Sequence, residues 1–390
     1  YTTGNTLSLH DALPISLPDP PSWIKKYGMS EEVDIFIVGQ GLAGSLLAWE
    51  LLHLGARVRI IDSRLEHAAY PVAAGILNPI TGKRIVKSWE ADRLIPVARA
   101  TYQTLGKAFG KTFFEEKAVL RLFKDEQEKQ LWEEKKKDPE YQEWLGESFP
   151  PGHFGEQIQD SQGSFIILGG GWLAVKLLVD TLHTYFEKRG CLILDAFRYE
   201  DISLEKGSER IGWKDFQANS MVFCEGFRGA ENPWFQWLDY RLSKGEVLDV
   251  DTTAHFPDYI LNKGKWILPT GQGTARVGAT YRWDSLESGP SITGMAELVR
   301  EIQAITPGNF PVHAHRSGIR PGTNDSKPYV GRHPLDSRLA ILNGFGSKGS
   351  LYGPATAREL AAHLVHGEPI SPEWNIERRL KFLKESLKLP

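Results

Sequence analysis

The stretch EEVDIFIVGQGLAGSLLAWELLHLGARVRIID, residues 31–62, leaves this chain few folds to choose from. An apolar run over residues 33–38 predicts a short buried strand, and residues 57–61 predict a second one closed by Asp62. Between them lie Gly39, Gly41 and Gly44, in G-x-G-x-x-G spacing, followed by a helix with Leu46, Leu47, Leu51 and Leu54 on one side. In such a unit the first glycine turns tightly and the second lets a pyrophosphate approach the backbone. The third lets helix and strand pack closely. Asp62, 23 residues after Gly39, stands where a carboxylate binds the ribose hydroxyls of an adenosine. The predicted fold is therefore α/β, with a Rossmann-like βαβ unit that binds a dinucleotide. The acid disfavours a 2′-phosphate, which leaves NAD and FAD.

A second glycine-rich loop separates these two. LNGFGSKGSLYGPATARELAAHL, residues 342–364, changes abruptly from glycines to a helical pattern that runs to His366, where Gly367 and Pro369 stop it. A nicotinamide cofactor has no use for another helix start near the C-terminus. A flavin gains from one, because its reduced ring accumulates negative charge around N1 and the C2 carbonyl. A helix N-terminus there carries about half a positive charge. Gly344, Gly346 and Gly349 permit close approach, and Lys348 adds a full charge. The two loops are expected to hold the two ends of one FAD.

The 390 residues suit two domains or a domain with a large insertion, and an apolar fraction of 41% can fill their cores. A formal net charge of −3 gives no pull toward nucleic acid or an anionic membrane. No apolar stretch reaches the ~18 residues that a membrane span needs. Cys191 and Cys224 lie in apolar, strand-like runs and read as free buried thiols, which suits a reducing cytoplasm. The histidines have no metal spacing; His313 and His315 form H-x-H, but no acid or cysteine nearby in sequence completes a site, so no metal is expected. The mixed-charge run over residues 124–144 reads as a solvated helix face. Residues 1–28 read as a non-native or disordered leader. Residues 6–15 resemble the translation of a sequencing adapter, a secretion signal's basic and apolar regions are missing, and Met29 is the expected start.

Six ordered stretches, spread over residues 34 to about 368, resemble the D-amino-acid-oxidase-like FAD oxidoreductases, the family of glycine oxidase. Beyond the first loop they are AAGILNP (73–79), ANSMVFCEGFRGAENPWF (218–235), LSKGEVL (242–248), KWILPTGQGTARVGAT (265–280) and SGIRPGTNDSKPYVGRHP (317–334), ending at GFGSKG. The resemblance implies a discontinuous FAD domain (29–89, 161–228, 324–390) and an inserted, sheet-rich α+β substrate domain (90–160, 229–323). It carries FAD contacts onto Gly39, Gly41, Leu42, Ala43, Gly44, Asp62 and Ser63, and onto Ala74, Gly75 and Ile76. Tyr199, Gly226, Gly346, Ser347, Lys348, Gly349 and Ser350 complete that set.

Arg320, in the tight turn expected of IRPG, matches the arginine with which the family holds a substrate carboxylate. A planar, permanently charged fork is suited to that role. Trp266 matches a pocket aromatic, and Lys348 joins Arg320 as a substrate-binding candidate. Tyr281 and Trp283 are weaker candidates, and Asn78 and Lys83 approach the flavin edge on this reading. Covalent members tether FAD through a cysteine after the R-P segment. No cysteine follows Cys224 here, so non-covalent FAD is expected. Where glycine oxidase has an arginine in its last loop this chain has Ser347. GSKG is closer to the oxidase-like domain of the bifunctional enzyme that removes a carboxymethyl group from a tRNA wobble-uridine side chain.

The expected activity is oxidation of an amino acid or secondary amine. Arg320 would hold the carboxylate while the Cα hydride passes to flavin N5, and the resulting imine is hydrolysed by water. Three alternatives stay open at this point: a tRNA-modifying oxidase, a flavin-binding subunit without turnover, and an NAD-dependent dehydrogenase.

Overall fold

The computed structural model describes residues 32–254 and 256–387. The leader assigned to residues 1–28, and the start at Met29, lie outside the described residues.

The predicted βαβ unit is present, with β1 at Glu32–Val38, α1 at Leu42–His53 and β2 at Val58–Asp62. β1 and β2 pair in parallel, Ile35 opposite Val58 through Val38 opposite Ile61. Leu192–Leu194 extends this sheet beyond β2, also in parallel. On the other side β1 pairs in parallel with Phe216–Phe223, whose far edge takes Asp336–Asn343 in parallel and Ile211–Trp213 antiparallel. Such strands are buried on both faces, so they read as continuous apolar runs rather than alternating ones. Phe36, Ile37, Met221, Val222, Phe223 and Ile341 are fully buried.

α1 is buried nearly all round because the helix Gly349–His366 lies across it. Glycines allow the close crossing: a Cβ on Gly353 would press on Leu46, and one on Gly349 would touch Leu42. The late helix ends at His366 with Gly367 in the left-handed region, φ 73°.

A second eight-stranded sheet has the order Val312–Arg320, Ser243–Asp251, Thr274–Gly278, Lys265–Gly271, Ile260–Lys263, Val119–Leu122, Ser164–Ile167, Leu145–Phe149. Its neighbours are antiparallel except Ile260–Lys263 and Val119–Leu122. Ser164–Ile167 falls inside the 161–228 stretch that the sequence groups with the first layer. Its four buried residues SFII hydrogen-bond instead between Val119–Leu122 and Leu145–Phe149. Helix Ile292–Gln303 covers one face of this sheet, packing Leu298 and Ile302 onto Leu248, Val250 and Val277. The other face turns Gly245, Val247, Trp266 and Arg320 toward the first sheet. Among the described residues no helix is long and apolar enough to cross a membrane.

Candidate functional site: one cavity between two helix starts

Four parallel strands of the first sheet end at one cavity of about 430 Å³. Gly39 follows β1, and Asp62 ends β2. Cys224, Glu225 and Gly226 follow Phe216–Phe223, while the loop from Gly344 follows Asp336–Asn343. The carboxyl ends of parallel strands are where an open α/β sheet binds its ligands.

At one end of the cavity the wall is backbone. Gly39 has φ 97°, and a Cβ there would stand 2.6 Å from the Cys224 carbonyl oxygen. A Cβ on Gly44 would collide with the Gly39 carbonyl, while one on Gly41 would meet no protein atom within 4 Å and project into free space. Gly41 is the N-cap of α1, with no side-chain cap and no acid in the first turn, so the helix's first N–H groups are left for a ligand. Asp62 is fixed by accepting hydrogen bonds from Gln40 N (2.9 Å) and Arg64 N (3.1 Å).

The other end is built from side chains. Helix Gly349–His366 also starts without a side-chain cap or an acid in its first turn, and its N-cap residue is Lys348. Lys348 Nζ reaches across to Ser88 Oγ at 3.3 Å, and burial lowers its pKa from the ordinary lysine value. Arg320 is the last residue of strand Val312–Arg320, paired with Ser243, and it also opens the expected tight turn, since its carbonyl accepts from Gly322 N at 2.9 Å across Pro321. Its Nη1 donates to the Thr280 carbonyl at 3.2 Å, and its guanidinium lies 4.2 Å from the centre of the Tyr281 ring. Burial lowers its pKa as well, and no acid pairs with it among the described residues. Gly245 makes this possible, because a Cβ there would occupy the guanidinium's position. The two arms are tied together: Gly346 N donates to the Pro321 carbonyl at 2.9 Å.

Most residues singled out in the sequence line this cavity: Gly39, Gly41, Leu42, Ala43, Asp62, Ala74, Gly75, Ile76, Gly226, Trp266, Arg320, Gly346, Ser347, Lys348, Gly349 and Ser350, with Asn78 and Tyr281. Gly44 lies behind it, packed on Gly39. Ser63 and Lys83 are exposed, Trp283 sits outside the lining, and Tyr199 packs among Phe197, Phe223 and Trp234. Tyr199 touches the wall only through its hydroxyl, which donates to Glu225 Oε1 at 2.8 Å. Gly245, Thr280 and Glu225 were missed. A glycine beside a distant arginine and a threonine acting through its carbonyl leave no local signature. Burial raises Glu225 to about 7 against hydrogen bonds from Asn232 and Tyr199 that favour its charge. His313 and His315 do find acids, Asp251 (3.3 Å) and Glu246 (2.9 Å), because the antiparallel partner strand supplies them. Among the described residues no group of three or more His, Cys, Asp or Glu side chains could hold a metal. Cys191 and Cys224 are buried and free, just outside their neighbouring strands.

Two uncapped helix N-termini, a glycine position opening into free space and an acid at the end of β2 fit an extended dinucleotide with an anionic middle. The match to known proteins agrees. Residues 34–363 fit the model of the FAD dependent oxidoreductase family, DAO. The chain belongs to this family. It is an FAD-dependent oxidoreductase with the fold of the amino-acid oxidases. Glycine oxidase of Bacillus licheniformis is 34% identical over 28% of this chain, and the match spans only 30% of that relative's own length. The tRNA 5-methylaminomethyl-2-thiouridine biosynthesis bifunctional protein MnmC of Maricaulis maris is 28% identical over 86% of this chain and 52% of its own. The crystal structure of glycine oxidase from Geobacillus kaustophilus superposes with a TM-score of 0.74 at 23% identity, covering 90% of this chain and 98% of that one.

Proposed function

We propose that this oxidoreductase dehydrogenates an amine bearing a carboxylate, a free or N-substituted amino acid, with FAD held without a covalent link. The observation that carries the reading is Arg320, a cation in the cavity wall paired only with a carbonyl and a ring face. An unpaired buried charge is costly to keep, and a bidentate carboxylate is the partner that its geometry suits. When bound, FAD supplies the hydride acceptor. On this reading the first sheet's layer holds FAD, at the contacts named above, and the second sheet roofs the substrate. Thr280 and Tyr281 hold the Arg320 fork. The substrate's carboxylate docks on that fork, which fixes the direction of its Cα–H, and Trp266 bounds the pocket beside it. Lys348 and the helix start behind it add positive charge where electrons arrive. Non-covalent FAD is supported by the lack of any cysteine after Cys224, and a reducing, cytoplasmic setting by two free buried thiols.

Arg320→Leu is expected to keep its fold and its yellow colour. Removing one partner of a desolvated charge pair costs about 2–5 kcal/mol, so flavin reduction by the substrate should slow roughly 30- to 5000-fold. Arg320→Lys should restore part of that, since a point charge cannot reproduce the fork. The measurement is anaerobic flavin bleaching with a panel of amino acids and amines. A rate within about threefold of wild type for Arg320→Leu would make the arginine structural.

A second reading is favoured by the GSKG loop and the long MnmC alignment: the amine is a carboxymethylaminomethyl group on a modified uridine. Bleaching by that nucleoside, and by no free amino acid in the panel, would select it.

A further inference from the structure

Given the reading of Arg320 as a carboxylate anchor, we infer that the cavity rim carries a second subsite. It would take a flat aromatic group on the substrate, and Tyr281 and Trp283 build it. Residues 279–282 run beside strand Ser243–Asp251, with Arg282 N donating to the Lys244 carbonyl and Lys244 N to the Arg282 carbonyl, and the chain bends at Trp283. Alternation along this segment sends Tyr281 to one face and Arg282 to the other, where it pairs with Glu297 at 2.7 Å. The two rings stand 6.4 Å apart at 35°.

They continue outward from the anchor. The Arg320 guanidinium lies over Tyr281, Trp283 follows, and Arg241 covers Trp283 at 5.4 Å. The two rings thus stand as a pair between two cations, from the cavity wall to the surface. Tyr281 is 45% exposed and Trp283 57%, whereas every other described tryptophan is buried or partly buried. Aromatic surface left in water beside a binding cavity is surface available to a ligand.

The rim is also held in place. Lys244, 3% exposed, donates from Nζ to Ser288 Oγ and to the Gly289 carbonyl, both at 2.9 Å, which ties the 281–290 segment down. A fixed platform loses little freedom when a ligand stacks on it. The occupant is therefore the substrate's own flat substituent, reaching past the rim while its carboxylate stays on Arg320.

Two inert thioethers test this, because sulfur in place of the amine nitrogen prevents dehydrogenation. (Methylthio)acetate and (benzylthio)acetate are titrated by calorimetry into the FAD-loaded protein. A favourable ring pair predicts about tenfold tighter binding of the benzyl compound. Trp283→Ala should shrink that preference to about twofold or less, and Trp283→Phe should keep most of it, because a flat ring remains. Equal affinities in wild type, or a preference untouched by Trp283→Ala, would overturn the subsite and leave the Arg320 anchor standing. Failure of both compounds to bind wild type at millimolar concentration would instead overturn the anchor, and the subsite with it. A changed oligomeric state in Trp283→Ala with the preference intact would assign the rings to a subunit contact and also overturn the proposal.

Discussion

The two ends of the cavity solve the same electrostatic problem with different materials. Both place an uncapped helix N-terminus against the site. At the α1 end the rest of the wall is backbone apart from the Asp62 carboxylate, and the role of each glycine lies in its missing Cβ. At the Gly349–His366 end the dipole is joined by two side-chain cations, Lys348 and Arg320, which come from different strands and loops. Backbone N–H groups suit an invariant anion such as a pyrophosphate. Side chains can be exchanged, so the second end is where members of one fold can differ in what they accept.

The largest effect that would break this comparison is at Gly41. A Cβ there projects into space that no protein atom fills, so Gly41→Val should fold yet purify colourless, having lost its FAD. A yellow Gly41→Val with normal flavin content, measured by absorbance after acid release, would mean that the backbone end does not hold the pyrophosphate. Acid precipitation of wild type should release all of the colour to the supernatant as FAD.

Next comes Lys348→Met, which sharpens the contrast because it removes a charge from the second end without touching the first. FAD should remain bound. Loss of a partly buried charge at a helix start is worth about 1–2 kcal/mol, hence flavin reduction roughly 5- to 30-fold slower and a lower flavin potential. An unchanged potential would leave Lys348 as a tether to Ser88 only.

A third effect, read in stability rather than in rate, concerns Glu225 at the backbone end. Its folded pKa is pushed up to about 7 from an ordinary 4.5, with burial as the largest cause. A raised carboxyl contributes stability that is fully present below pH 4.5 and is lost as the pH climbs through about 7. Apo-protein melting should therefore fall between pH 5 and 8 by the equivalent of about 1–3 kcal/mol, and Glu225→Gln should flatten that slope. Parallel melting curves for the two proteins would show that Glu225 is charged in the fold.

The first end was legible in the sequence because its parts are neighbours in the chain. Strand, glycines, helix and Asp62 lie within residues 31–62, and each glycine's job follows from the local turn. The far helix was legible for the same reason, down to its stop at Gly367. Tyr199 shows where such reasoning fails: its aromatic partners Phe223 and Trp234 come from later segments, and they draw the ring away from the cavity. His313 and His315 show it too, since their acids come from a strand more than 60 residues earlier.

By itself, then, the sequence determined an α/β dinucleotide site and a second helix start suited to a flavin, while Arg320 was singled out by resemblance to a family. Local turn chemistry and hydrophobic period write the first two features directly into adjacent residues. Only the tertiary structure decided that Arg320 ends a strand, that Gly245 clears room for its fork, and that Thr280 and Tyr281 hold it. It alone decided that Lys348 lines the same cavity as that fork. These depend on register between strands distant in sequence, and register is fixed by the packing of whole sheets.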